Sequence, residues 1–262
     1  MHLGNDLPML SVALLCGAAF FAGLVDAMVG GGGLIQIPAL FASLPQVSAA
    51  TLLGTNKVAG IWGTAAAAAR YTRRVKLEWR AAIPGALAAF VFSFLGAWTV
   101  TRVAPDLLRK LLPFMMAAVA VYTFTRKDFG TVHAPRHGPG QGMLLALSVG
   151  AAIGFYDGFF GPGTGSFLIF LYVRFFGFDF LGASAAAKVV NVACNLAALL
   201  WFGRSGHLMV GLGLFMACFN VTGSLIGSHL AIMHGSTLVR RLFLAVVAVL
   251  VAKTAYDAFF RI

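Results

Sequence analysis

Two lysines and two aspartates stand in stretches of the sequence that are otherwise apolar. Asp26 and Asp157 lie near the ends of long apolar runs, whereas Lys57 and Lys188 fall well inside others. A charged side chain in hydrocarbon costs roughly 3 kcal/mol or more, so it is usually paired, turned to water or in contact with a substrate. The lysines could therefore bind an anion. The carboxyl groups, whose neutral form is favoured by burial, could load and release a proton.

The same four residues also have a purely structural interpretation. Lys57 could form an ion pair with Asp26 or with Asp157, and the same choice is open to Lys188. Each aspartate could instead accept backbone N–H groups from the glycines that follow it in the sequence. Neither structural role excludes binding of a substrate or a proton, so both interpretations stay open at this point.

A glycine cluster follows each aspartate. The first cluster occupies residues 30–33 and the second, which contains Pro162, occupies residues 161–165. Glycine weakens a helix by roughly 1 kcal/mol relative to alanine, and proline removes a backbone donor, so we expect a helix break at both places. Paired breaks at membrane depth indicate a binding site in transporters, and the free N–H groups of a new half-helix favour an anion. The alternative is close helix packing or a tight turn.

Further polar residues lie near the lysines at helical spacing. Asn191 and Asn195 follow Lys188 on one predicted helix face. We predict proton coupling at Asp26 and Asp157, and helix–helix contacts for Gln36 and Asn220. The residues predicted to contact the substrate are Lys57, Lys188, Gly30, Gly32, Gly161, Gly163, Thr164, Gly165, Ser166, Asn56, Asn191 and Asn195.

The sequence contains an internal duplication. A shift of 131 residues, half of the 262-residue chain, aligns the aspartates, the lysines and the glycine clusters without a gap. It also aligns Ser93 with Ser224 and Gly96 with Gly227. We therefore expect two membrane repeats, residues 1–131 and 132–262, which together form one transport domain.

The composition is that of a polytopic helical membrane protein. Hydrophobic residues make up 60% of the chain and charged residues 10%, against about 25% charged residues in soluble domains. Two shorter apolar runs, 33–44 and 164–176, are too short to span by themselves. Runs long enough to cross a membrane as helices lie at 8–29, 50–69, 81–101, 107–124, 141–160, 182–202, 208–233 and 238–259.

The topology depends on the two short runs. If they span, each half has five crossings and the second half is inverted; if they are re-entrant, each half has four crossings and the halves are parallel. The densest group of basic residues, at 70–80, is expected in the cytoplasm. Because inverted repeats give alternating access two interchangeable conformations, we favour the inverted arrangement.

Other classes of function receive little support. The formal net charge of +11 comes from Lys and Arg in loops, where membrane orientation explains it, so no nucleic acid is expected. Cys16, Cys194 and Cys218 have no paired spacing, and no metal site or cofactor is expected. A nucleotide-binding motif is not visible in the sequence. An intramembrane enzyme would have only the aspartate pair to work with, so we expect no enzyme.

Residues 154–165 form the motif Gly-x-x-Asp-Gly-x-x-Gly-Pro-Gly-Thr-Gly, and residues 23–34 are a copy of it. Together with the repeated lysine, this motif resembles the TauE/SafE family of sulfite exporters. The first copy departs from the motif at Ala27 and Leu34. The resemblance covers nearly the whole chain. It implies a permease of the bacterial inner membrane that moves a small anion, with sulfite, sulfoacetate or another organosulfur compound as the associated substrate.

Residues and resemblance together predict a secondary transporter that exports a small anion. We expect it to be proton-coupled, with alternating access between two repeats, and to have the anion, protons and membrane lipids as its partners. An anion channel that uses the same site is the alternative. The sequence gives no prediction of the oligomeric state.

Overall fold

The computed structural model describes residues 9–104, 107, 108, 114 and 138–234. Within these residues the secondary structure is helical and contains no strand. The predicted span at 238–259, and that at 107–124 except for residues 107, 108 and 114, lie outside the described residues. The α-helices are α1 (Met9–Val29), α2 (Gly33–Ser43), α3 (Ala49–Arg74), α4 (Trp79–Val100), α5 (Pro139–Phe159), α6 (Thr164–Leu171), α7 (Phe180–Arg204) and α8 (Val210–His234), and a π-helix (Tyr172–Phe176) continues α6.

The helix lengths confirm a polytopic membrane protein. Five described helices, α1, α4, α5, α7 and α8, are long and apolar enough to cross a membrane. Their outward surfaces carry large apolar side chains, such as Phe21, Leu87 and Leu200, each more than half exposed. Such a surface suits lipid contact. The predicted runs within the described residues match observed helices to within five residues at each end, but α3, which covers the predicted span 50–69, is not among these five helices.

Both predicted helix breaks are present. Helix α1 ends at Gly30, which has a φ of 82°, and α5 ends before Gly161 and Gly163, with φ values of 93° and 78°. These angles lie in the left-handed region that glycine adopts without a steric penalty. After the first break the chain folds back towards α1. Gly32 lies so close to Ala22 that a Cβ at Gly32 would be 2.6 Å from the Ala22 backbone oxygen. The short helix α2 is therefore no continuation of α1.

Small residues let α4 and α5 pack at close range. A Cβ on any of three glycines of α5 would lie within 2.6 Å of the backbone of α4. Close approach of this kind is a common basis of helix packing in membranes. Residues later in α4 contact residues later in α5, so the two helices are parallel. The pairs are Gly85 with Gly150, Ala89 with Gly154, and Ser93 with Gly158.

Helices α1 and α8 pack in the corresponding way. Their contacts also rise together, so these helices are parallel as well. Helix α3 runs with them, since its contacts with α8 follow the same order. The pairs are Asn220 with Ala19, Gly227 with Leu24, Thr55 with Met209, and Gly63 with Ser224.

Two groups of helices therefore run in opposite directions. Helix α7 is parallel to α4. Ser93 of α4 is hydrogen-bonded to Cys194 of α7, and Thr101, which follows the end of α4, is hydrogen-bonded to Trp201 further along α7. Helix α7 is antiparallel to α3, because the start of α3 at Gly54 lies at the end of α7 and the start of α7 lies near Lys76. Helices α1, α3 and α8 thus oppose α4, α5 and α7. Each long helix of the first half runs opposite to the helix that lies about 131 residues later.

Candidate functional site

The two helix breaks meet each other at the centre of the described bundle. A Cβ at Gly30 would lie 2.2 Å from the carbonyl carbon of Gly165, so both positions need the absence of a side chain. Ser166 fastens the contact: its backbone N–H donates to the Gly30 carbonyl at 3.2 Å, and its hydroxyl donates to the Val29 carbonyl at 2.8 Å. The sequence predicted two breaks, and the tertiary structure brings them into one place.

Two buried ion pairs flank the meeting point. Lys57 Nζ lies 2.5 Å from Asp157 Oδ2, and Lys188 Nζ lies 2.8 Å from Asp26 Oδ2. Each lysine is therefore paired with the aspartate of the other half of the chain. This settles which of the pairings left open by the sequence occurs, whereas direct contact of a lysine with a substrate stays a prediction.

The two ion pairs differ in their exposure. The side chains of Lys57 and Asp157 are 5% and 2% exposed, whereas the Asp26 side chain is 17% exposed. Asp26 also accepts a hydrogen bond from the Thr64 hydroxyl at 3.4 Å, and its backbone carbonyl accepts a second bond from Lys188. Asp26 is therefore the carboxylate that water reaches more easily.

A cavity of about 40 Å³ lies between the breaks and the ion pairs. One water needs roughly 10–15 Å³ measured in this way, so the space suits about three waters or a small anion. Eleven of its lining residues belong to the predicted site: Asp26, Gly30, Gly32, Asn56, Lys57, Asp157, Gly161, Thr164, Gly165, Asn191 and Asn195. The other lining residues are Gly33, Gln36, Gly60, Thr64 and Asn220.

Three predicted site residues do not line this cavity. Lys188 is fully buried beside Asp26, and Gly163 forms the left-handed turn that begins α6. Ser166 holds the two breaks together through its bonds to Val29 and Gly30. In this conformation these three residues lie behind the residues that line the cavity and support them.

The backbone donors expected at the start of α6 are partly engaged. The Thr164 N–H donates to the Gly161 carbonyl at 3.4 Å, and the Ser166 N–H donates to Gly30. Two amides that the sequence analysis counted as free for an anion are therefore committed within the protein. The N–H groups of Gly32, Gly33 and Gly165, which also line the cavity, have no backbone acceptor among the described residues, and further uncommitted hydrogen-bonding groups come from side chains.

Side-chain amides supply those groups. Asn56, Asn191 and Asn195 line the cavity, and their side chains make no hydrogen bond to another described residue. Gln36 and Asn220 make the helix–helix contacts predicted from the sequence, and they also line the cavity, which the sequence did not predict. The signal that could have found them is an amide side chain inside a strongly apolar helix, where it needs a polar partner.

The site as a whole is polar, partly open and electrically balanced. Two lysines face two aspartates, so the pairs carry no net charge. A lysine in such a pair attracts an anion more strongly when its carboxylate moves away or takes up a proton, because its charge is then no longer balanced. A small polar cavity between two broken helices, inside a bundle of membrane-spanning helices, is the architecture of a membrane transporter.

The chain belongs to the TauE/SafE family: the family described as "Sulfite exporter TauE/SafE" matches residues 15–254. The probable membrane transporter protein ORF9 of a Sinorhizobium species is 36% identical over 97% of this chain and 95% of its own length. The probable membrane transporter protein YfcA of Escherichia coli K12 is 36% identical over 98% and 96% of the two chains.

A probable membrane transporter protein of Haemophilus influenzae is 33% identical over 98% of both chains. No solved structure is significantly similar to the chain. The family and the names of these relatives indicate a membrane transporter rather than an enzyme.

Proposed function

We propose that this protein is a proton-coupled secondary transporter that exports a small anion, with sulfite or a compact organosulfur anion as the substrate, across the bacterial inner membrane. The observation that carries the proposal is the partly open polar cavity where the two helix breaks meet beside Lys57 and Asp157. The family description supports sulfur oxyanions as the substrate class. The amide side chains on the cavity wall support an oxygen-bearing anion, since their N–H groups donate to oxygen.

Alternating access follows from an inverted-repeat arrangement of the two halves. The opposite directions of equivalent helices support this arrangement, which corresponds to five crossings in each half. Because α4 and α5 are parallel, Val100 and Pro139 lie at opposite ends of that pair, as an odd number of crossings in the first half requires. Two halves related in this way can exchange conformations and open the same cavity to either side.

The crossed ion pairs provide a route for proton coupling. An anion that takes Lys57 from Asp157 leaves that aspartate buried and unpaired, at 1% exposure. An unpaired buried charge costs about 3–5 kcal/mol, and uptake of a proton by the carboxylate removes this cost. Anion binding and proton binding therefore favour each other, with one proton for each pair that opens. Anion and proton then move outward together when the outward gradient of the anion exceeds the inward gradient of protons.

Flux measurements in proteoliposomes test the proposal. Purified protein should move sulfite in a saturable manner, at a rate that depends on an imposed pH gradient, whereas protein-free liposomes should not. Flux that rises linearly with concentration and ignores the pH gradient would indicate a channel. Absence of flux for sulfite, sulfoacetate and acetate under any gradient would overturn the proposed function.

A further inference from the structure

Gln36 lines the cavity and carries a buried, unused hydrogen-bond donor. The residue lies in α2, is 1% exposed and lines the cavity. Its Nε2 is one of three buried side-chain polar atoms without a hydrogen-bond partner among the described residues, and the other two belong to residues that do not line the cavity. A buried donor left without a partner costs about 1–3 kcal/mol, so Gln36 calls for an explanation.

The orientation of the Gln36 amide is fixed by its neighbour. Asn220 Nδ2 donates one hydrogen to the Ala19 carbonyl and the other to Gln36 Oε1, both at 3.1 Å. The Ala19 carbonyl can only accept, so the Asn220 atom facing it must be the nitrogen. The Gln36 atom facing the same nitrogen must then be the oxygen. Gln36 Nε2 is therefore the amide atom that has no partner. Both hydrogens of Asn220 Nδ2 are already donated, so Asn220 has none left for a ligand.

The donor exists in only one half of the chain. The residue 131 positions after Gln36 is Phe167, whose ring packs against the ring of Tyr156 at a centroid distance of 5.4 Å. The pair of Gln36 and Asn220 thus makes the cavity asymmetric, although the ion pairs on either side correspond to each other. The α2 side of the cavity therefore carries a glutamine donor that the α6 side lacks at the equivalent position.

We propose that Gln36 is a specificity-determining residue, which donates an N–H from Nε2 to an oxygen of the bound anion that carries no hydrogen, and that Asn220 is the positioning residue that holds it in this orientation. This inference rests on the proposed function, because it assumes that an anion enters the cavity. The ligand class is a compact oxyanion whose oxygen on the α2 side is an acceptor. A neutral donor suits this task, since it attracts the oxygen and leaves the charge balance of the ion pairs unchanged.

Two substitutions of Gln36 separate its donor from its packing. Gln36→Glu keeps an oxygen for Asn220 and replaces the donor by an acceptor, whereas Gln36→Met keeps the volume and removes both groups. In sulfite flux assays on proteoliposomes, both variants should raise KM by roughly 10- to 100-fold, because each loses a hydrogen bond to a charged acceptor. The maximal rate should change much less than KM.

Asn220 should act only through Gln36. Asn220→Leu should raise KM for sulfite in the wild-type background and change it less than about twofold in the Gln36→Met background. Ser93→Ala is the control, because it removes a buried bond of 2.8 Å to the Cys194 carbonyl, away from the cavity. That variant should unfold at a lower temperature and keep the wild-type KM.

The outcomes distinguish the two proposals. If the wild-type protein moves none of sulfite, sulfoacetate and acetate, the proposed function fails, and the role of Gln36 fails with it. If the wild-type protein transports sulfite and both Gln36 variants keep its KM, only the specificity role is wrong. Additive effects of Asn220→Leu and Gln36→Met on KM would overturn the positioning role of Asn220.

Discussion

Neutralising the ion pair between Lys57 and Asp157 separates its structural role from its role in transport. The informative set is Lys57→Met, Asp157→Asn and the double variant. Each single change leaves one charge without its partner at a distance of 2.5 Å in a site where both side chains are at most 5% exposed. The double change leaves two neutral side chains of similar volume.

The size of the effect follows from this burial. Removing one partner of a buried pair costs about 3–5 kcal/mol, because the remaining charge is uncompensated, whereas replacing both partners is often neutral. For a chain of this size, 1 kcal/mol corresponds to roughly 2–4 °C in the unfolding midpoint. Each single variant should therefore lose on the order of 6–20 °C in detergent, and the double variant should recover most of that loss.

Transport should not recover with stability. If Lys57 binds the anion, the double variant unfolds near the wild-type temperature and still moves no sulfite in proteoliposomes. Lys188→Met provides a matched comparison, and it should lose less stability than Lys57→Met. The reason is that Asp26, which it leaves unpaired, keeps the Thr64 hydroxyl and has a 17% exposed side chain.

Two results would refute this reasoning. A double variant as unstable as the single variants would show that the two charges are not coupled, so the pair seen in the structure would not govern stability. A stable double variant with wild-type sulfite flux would show that the pair is structural only, and that the anion binds elsewhere. Thermal unfolding and initial rates of flux on the same preparations decide between these cases.

Three further predictions concern the breaks, the topology and the coupling. Gly30→Ala should destabilise the protein by about 2–5 kcal/mol in thermal unfolding, because the new Cβ would lie 2.2 Å from the opposite break and the φ of residue 30 is 82°. Gly17→Ala is the control: a Cβ at Gly17 would meet nothing within 4 Å, so this variant should be neutral or stabilising. In a cysteine-free background, Lys76→Cys and Ser205→Cys should react with impermeant maleimide from opposite sides of the membrane; labelling from one side would support parallel repeats. Asp157→Asn should retain sulfite counterflow and lose its drive by a pH gradient, and retention of that drive would exclude Asp157 as the coupling residue.

The amino-acid sequence by itself determined the local features of this protein. Long apolar runs predicted the spanning helices, since a helix in lipid satisfies its own backbone hydrogen bonds whatever its neighbours are. Clusters such as residues 30–33 predicted the breaks for an equally local reason, because glycine and proline act on the backbone of their own segment. The cost of a charge in hydrocarbon marked Asp26 and Lys57 as unusual before any contact was known.

The tertiary structure alone decided which of these features meet. The sequence allowed Lys57 to pair with either aspartate, and the packing of the helices selected Asp157, which lies 100 residues away in the chain. The same packing brought Gln36 and Asn220 together across 184 residues and used two backbone amides that had been predicted to be free. Such choices depend on which helix faces touch and in which direction the helices run. These properties belong to side chains far apart in sequence, and no single segment contains them.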